Sequence, residues 1–445
     1  GGNGPSAVVG RVLSRDPNEK ESLGVGAANW VPAGREVTYI IHFENEDDAT
    51  APAQTVTITD VLPADLEVGT FEALQVSFNG TTVDLPAGTR DYLGSTTVAS
   101  DPNPVRLRVH LNETTRTVEW VMQSYDPATG ELPVDALAGF LPPNDDTGRG
   151  EGFVMFRIRP RDGLPTGSGI RNVARIVFDE NEAIMTNQID PHDPSKGTSP
   201  DKEALATNNV EAPASRVDDL PAVSPPAIEV SWSGWDDLGG VEGSGASTWT
   251  IYVQEDGGAF APWLVDTPLT GAVYNGVAGR TYGFYSVATD AVGWSEPGKA
   301  AAEATTIAGY TVRLEAEANG ALADGPVLQI VAPGGSTVPV RAVPAAGYHL
   351  EGWWLDGQPI GTANPITLDA LDRDRTLTAR FAINQYVLTY LAQNGTIGGG
   401  AAVQVANHGS DGAEVTAQPA EGFHFTTWSD GVQTPTRRDL AVTAP

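Results

Sequence analysis

Cysteine is absent from the 445 residues, which removes disulfides, thiolate metal sites and thiol nucleophiles together. Lysine is almost absent, with only Lys20, Lys196, Lys202 and Lys299 present. The 26 basic residues stand against 57 acidic ones for a net charge of -31, and no basic stripe interrupts that excess. A polyanion would be repelled by such a field, so nucleic acid is excluded as a partner. Divalent cations, by contrast, are attracted, and an acidic surface stays hydrated in salty surroundings. No run of 18 or more apolar residues exists to cross a membrane as a helix. The opening Gly1-Gly-Asn-Gly-Pro5 has a linker composition and lacks the charged and apolar regions of a secretion signal, so the chain reads as a segment of something longer.

Glycine and proline are plentiful, at 50 and 33, which points to many turns between short strands. Hydrophobic residues at 40% can fill several cores, and all-β is the expected fold class. A length prior of roughly 150 residues per domain suggests three domains, and a duplication raises this to four. Pro344-Ala-Ala-Gly-Tyr-His-Leu-Glu-Gly-Trp353 returns as Pro419-Ala-Glu-Gly-Phe-His-Phe-Thr-Thr-Trp428, and the turns Asn319-Gly320 and Asn394-Gly395 keep the same offset. Copying a small module adds reach or surface more readily than it adds chemistry.

Residues 1–215 read as a large β-sandwich. Val37, Tyr39, Ile41 and Phe43 alternate with Thr38, Ile40 and His42, and apolar runs recur at 55–58, 105–111, 118–122, 153–158 and 170–178. Turn signals such as Asn79-Gly80 and Pro165-Thr-Gly167 separate them. Residues 190–226 are polar and proline-rich and read as a boundary. Three smaller units follow at 222–307, 308–383 and 384–445. The first repeat continues from Trp353 to Phe381, whereas the second has only 17 residues after Trp428. Its final strand is therefore expected to be missing, which leaves a pairing edge through truncation or for a partner to fill.

The run Gly34-Arg-Glu-Val-Thr-Tyr-Ile-Ile-His-Phe-Glu-Asn45, followed by Ala53-Gln-Thr-Val-Thr-Ile-Thr-Asp60-Val-Leu-Pro63, resembles the conserved repeat domains of bacterial and archaeal surface proteins. Ile170-Arg-Asn-Val-Ala-Arg-Ile-Val-Phe-Asp-Glu-Asn181 is similar to the closing strand of large versions of them. That resemblance implies an Ig-like sandwich used as a stalk unit. Residues 222–307 resemble a fibronectin type III domain: Ile228-Glu-Val-Ser-Trp232 would carry the core tryptophan, Thr248–Val253 would turn back through Asp256-Gly-Gly258, and Tyr282 would form a tyrosine corner. The duplicated units resemble divergent internalin-type B-repeats of bacterial cell-surface proteins.

Catalytic patterns are missing: there is no Gly-x-Ser-x-Gly elbow, His-Glu-x-x-His, P-loop or dinucleotide fingerprint. The six histidines are spread singly, and the equivalent pair His349 and His424 reads as solvent-facing strand residues rather than metal ligands. Carboxylates and amides cluster at predicted strand ends, and Asp16, Asn18, Asp179 and Asn181 are the residues proposed to hold calcium (Ca2+); the competing reading is solvated acidic loops. Trp354 follows the core candidate Trp353 and so points to the opposite face, which makes it the candidate for stacking on a sugar, with packing as the alternative. Lys-Asn isopeptide bonds stiffen some surface stalks of related appearance. With four lysines, three of them in predicted loops, no buried lysine beside a carboxylate is expected here.

These readings converge on a non-catalytic stalk or adhesive scaffold of a large secreted or cell-surface prokaryotic protein, built of four β modules, with other surface proteins, glycans or like subunits as partners. Two alternatives stay open: an accessory carbohydrate-binding region of a secreted polysaccharide-active enzyme, and a self-assembling extracellular fibre subunit.

Overall fold

The computed structural model describes residues 18–238 and 240–444. Their regular structure is strand throughout, apart from two 3-10 turns at Pro194–Lys196 and Pro200–Lys202. The chain is all-β. Its buried apolar side chains fall into four separate clusters that follow one another along the sequence.

The first body places a five-stranded sheet, ordered Lys20–Ser22, Val37–Glu44, Glu151–Pro160, Leu66–Phe78 and Thr81–Asp84, over a six-stranded one. The second sheet runs Ile184–Met185, Ala174–Phe178, Thr55–Val61, Thr117–Ser124, Val105–Asn112 and Asp91–Thr96. Alternation decides which side chains enter: Val37, Tyr39, Ile41 and Phe43 point to the core from one strand, Val118, Trp120 and Met122 from another. Phe71 meets Trp120 edge-on, with ring centroids 6.5 Å apart, and so ties the two sheets together. A small third sheet of Gly169–Asn172, Ala204–Asn209 and Trp30–Pro32 completes this body.

The polar stretch 190–226 is more than a connector. Ala204–Asn209 pairs inside the first body, and Ala214–Val217 pairs with the strand Ala227–Trp235, so the second body already begins at residue 214. Its sequence looked like a linker because Ala204–Asn209 buries polar residues, Thr207, Asn208 and Asn209, which carry no apolar signal. The buried amide nitrogens find partners: Asn208 donates to the Leu164 carbonyl at 2.7 Å and Asn209 to Asp290 at 2.7 Å.

The second body has a three-stranded sheet facing a five-stranded one, with Trp232 buried between them. Tyr282 is buried and its hydroxyl accepts the Val277 N–H at 2.8 Å, the corner bond that pins one end of such a sandwich. Asp256 and Gly257 take the left-handed conformations, φ 50° and 71°, that let Ala246–Glu255 turn back into Ala261–Thr267. The strand Ala214–Val217 is fastened by Glu303, whose carboxylate accepts the N–H groups of Val217 and Ser286 and the ammonium of Lys299. Burial pushes that carboxyl up, but these donors outweigh it and hold it below its ordinary value.

The third body is a mixed sheet in which Tyr310–Ala316 runs parallel to Arg375–Ile383, which in turn pairs with Tyr348–Leu355 over the buried Trp353. The fourth repeats the offset: Gly320–Ala323 with Arg341–Pro344 becomes Gly395–Gly398 with Val415–Pro419. Trp353 and Trp428 each donate the indole N–H to a backbone carbonyl at 2.9 Å, of Ala363 and Thr434. Among the described residues the fourth body has no counterpart of Arg375–Ile383, and the segment equivalent to Tyr348–Leu355 forms no strand. Val387 and Val405, a directly opposed pair on the outer face of Gln385–Thr389 and Val403–Asn407, are exposed, as is Phe423.

Consecutive bodies touch. Trp294 donates its indole N–H to the Asn209 carbonyl, joining the second body to the first. Gly309 passes between Val223 of the second body and Ile330 of the third, where a Cβ would collide with Val223. Gly347, at φ 85°, lies against His408 and its carbonyl accepts the Asn384 N–H, linking third to fourth.

Candidate functional site

The most unusual chemistry in the molecule lies inside the first body, where strand alternation sends three polar residues into an apolar core. Lys20 stands opposite Ile41 in an antiparallel pair, and directly opposed residues share a face, so both point inward. Asp60 follows Val56 and Ile58 at spacing two on the buried face of Thr55–Val61, opposite Val118 and Ala174. Asn172 follows Ile170 in the same way on Gly169–Asn172. The side chains of Lys20 and Asp60 are both 0% exposed, and Asn172 is 2% exposed.

The three converge on one oxygen. Lys20 Nζ donates to Asp60 Oδ2, and Asn172 Nδ2 donates to the same atom at 3.4 Å. Aromatic rings wall the amine off: Nζ lies 5.1 Å from the Tyr39 ring centre and 5.3 Å from that of Phe156, and those rings stack on each other. Burial pulls the Lys20 ammonium down to about 8 against the opposing pull of Asp60. Burial likewise pushes the Asp60 carboxyl above its usual range, more than Lys20 and Asn172 lower it. Both shifts favour a neutral amine beside a neutral acid. The Tyr39 hydroxyl is raised for the same reason.

Polar atoms here are left over. Asp60 Oδ1, Asn172 Oδ1 and the Tyr39 hydroxyl are buried with no hydrogen-bond partner among the described residues. Such groups are rare because each forfeits its hydration without return. A lysine buried beside a carboxylate was not expected from the sequence, and Lys20 corrects that expectation. Its strand spans three residues, Lys20–Ser22, too few to display alternation. The signal that was legible lay in the partners, since Val56-Thr-Ile58-Thr-Asp60 and Ile170-Arg-Asn172 each place a polar residue in register with apolar ones.

Of the residues proposed for calcium, Asp16 lies outside the described residues. Asn18 is buried two positions before Lys20, with both amide atoms unpartnered among the described residues. Asp179 sits at the far end of Ala174–Phe178 in a left-handed conformation, φ 50°, where its Oδ1 accepts the N–H groups of Gln54 and Thr55 at 3.0 and 2.8 Å. Asn181 is exposed in the same turn. No hydrogen bond among the described residues joins Asn18 to Asp179 or Asn181, and no three His, Asp or Glu side chains among them group as a metal site would require.

Trp354 is half-buried, and the Arg380 guanidinium covers its ring at 4.4 Å. Trp235 and Trp294, at 50% and 38%, are the more exposed indoles. Alternation correctly separates Trp354 from Trp353, but the residue that covers it comes from the neighbouring strand Arg375–Ile383. His349 and His424 are exposed, and His349 contacts Asn384 at 2.8 Å. A depression of 260 Å³ beside Arg161, Asp162, Asn208 and Glu211 is lined by no histidine.

Two family descriptions match parts of the chain. Residues 16–88 and 137–191 match a domain of unknown function (DUF7619), and residues 310–385 and 386–445 each match the divergent InlB B-repeat domain. None of the curated proteins matches the sequence. Among solved structures, the chain is similar to the N-terminal domain of the Streptococcus gordonii adhesin Sgo0707, at 18% identity over 39% of this chain and 31% of that one, with a TM-score of 0.23. It is also similar to BcpA, the major pilin subunit of Bacillus cereus, at 12% identity over 63% of each chain and a TM-score of 0.23. A collagen-binding domain from a Staphylococcus aureus adhesin aligns at 9% identity over 44% of this chain and 99% of that domain, with a TM-score of 0.22. The chain thus spans about a third of the first of these proteins and under two thirds of the second. Superpositions this loose carry no functional argument. No helix among the described residues is long and apolar enough to cross a membrane.

Proposed function

We propose that this chain is a non-catalytic, load-bearing scaffold on the outside of a prokaryotic cell, in which four β bodies act as a semi-rigid stalk. The observation that carries the reading is the separation of the buried side chains into four clusters in chain order, with contacts between consecutive bodies at Asn209–Trp294, Val223–Gly309–Ile330 and Gly347–His408. A body that closes its own core leaves no shared cleft for a reaction, while short joints that pack against both neighbours restrict tumbling. The match of residues 310–445 to the divergent InlB B-repeat supports an extracellular setting. Surface proteins, glycans or like subunits are the partners that this setting offers.

Small-angle scattering of the chain, together with antibody labelling of intact cells, tests the reading. A single globule of this length would have a radius of gyration of roughly 22 Å. A scaffold gives a value well above that and labels without permeabilisation. A compact particle, or labelling only after lysis, would remove it.

A further inference from the structure

The triad inside the first body carries an inference that goes beyond the scaffold reading and does not depend on it. We propose that Lys20 and Asn172 become joined by an intramolecular isopeptide bond, formed spontaneously in the folded protein with Asp60 as the proton carrier. The chemistry requires an amine without its proton, an amide carbonyl that can be polarised, a group to shuttle protons and the exclusion of water. Each is on hand. Lys20 Nζ contacts Asp60 Oδ2, the Asn172 amide nitrogen contacts the same oxygen at 3.4 Å, and all three residues are buried, with the Lys20 amine beneath the Tyr39 and Phe156 rings. The two oxygens that lack partners, Asp60 Oδ1 and Asn172 Oδ1, are those a proton would bridge when the acid polarises the amide.

The step balances without any further reagent. Asp60 takes one proton from the Lys20 ammonium, leaving a free amine, and donates a hydrogen bond to Asn172 Oδ1. Nζ attacks Asn172 Cγ to give a tetrahedral centre. Asp60 then carries a proton from Nζ to Nδ2, the Cγ–Nδ2 bond breaks, and ammonia leaves as the new Nζ–Cγ amide forms. Nothing is oxidised or reduced. The product is neutral, and its one N–H and one carbonyl match the acceptor and the donor that a protonated Asp60 offers. A half-satisfied buried ion pair is thereby exchanged for a paired polar group, which is the state that a dry core tolerates.

A permanent ion pair is the competing reading, and mass separates the two. The purified chain is weighed intact at isotopic resolution and then digested with trypsin. The bond predicts a mass below that of the sequence by one ammonia. It also predicts a branched peptide in which residues 16–35, uncut at Lys20, are attached to residues 172–175. A full sequence mass with linear Lys20 and Asn172 peptides would overturn the proposal, and so would a loss of one water with Lys20 attached to Asp60. Asn172→Ala and Asp60→Ala are expected at full mass. If folded Asp60→Ala still lost ammonia, the proton-carrying role would be wrong. The wild-type measurement decides the main point even where a variant does not fold.

Discussion

A lysine sealed from water is a different reagent from one on a surface, because its ammonium has no hydration to lose by giving up a proton. Lys20 shows this at the scale of a single residue, and the consequence for stability can be signed. Burial lowers it from an ordinary 10.5 to about 8. While it remains uncoupled, the folded state between those values binds fewer protons than the unfolded state, so stability rises with pH across that window. In Asn172→Ala, where no bond can form, chemical denaturation from pH 8 to pH 10 is expected to show this gain. Wild type, its amine consumed, should lack it. Above pH 10 Tyr39 works the other way, because burial keeps it protonated after it would ionise in the unfolded chain, but it does so in both proteins. Identical slopes in the two would count against the assignment of Lys20.

Elements translate such residues into architecture through register. Thr55–Val61 made Asp60 an inward residue as surely as it did Val56 and Ile58, so the buried carboxylate was legible in the alternation. The lysine was not, since Lys20–Ser22 is defined by its pairing to Tyr39–Ile41 and not by any pattern of its own. The same division runs through the rest of the molecule. Tyr282 and Trp232 could be placed through the resemblance to a fibronectin type III domain, and each lies in a long strand with several buried apolar neighbours, whereas Ala204–Asn209 was hidden by its polar side chains, whose partners are remote in sequence. Arg380 over Trp354 is likewise a cross-strand event that one strand cannot announce.

Glu303 gives the element scale its own test. It ties Ala214–Val217 to Thr281–Asp290 through charged acceptor bonds, and its carboxyl is held below the ordinary 4.5. A depressed carboxyl contributes stability that is full above the unfolded value and is lost as pH falls through the folded one. Glu303→Gln should therefore cost about 2 kcal/mol near neutrality. The difference between variant and wild-type melting temperatures should shrink as pH drops below 4.5. A difference that stays constant to pH 3 would show that the charge is not what holds the strand.

At the scale of the whole molecule, force would enter one body and leave through the next, with the packed joints setting how far each can swing. A bond from Lys20 to Asn172 would carry load from the first described strand directly to the last third of the first body, so the chain between them would be bypassed. By the loop-closure rule derived for disulfides, tying residues that far apart removes roughly 5 kcal/mol of unfolded-state freedom. Among the described residues the other three bodies hold no fully buried lysine and rely on their cores, of which the fourth, Tyr390, Val415 and Trp428, is the smallest. Pulling single chains from both ends tests the row of separate bodies most directly. Separate unfolding events are expected for the second, third and fourth bodies, and the roughly 500 Å of chain between residues 20 and 172 should never be released. One cooperative event that frees the full length at once would contradict a scaffold made of independent bodies in series.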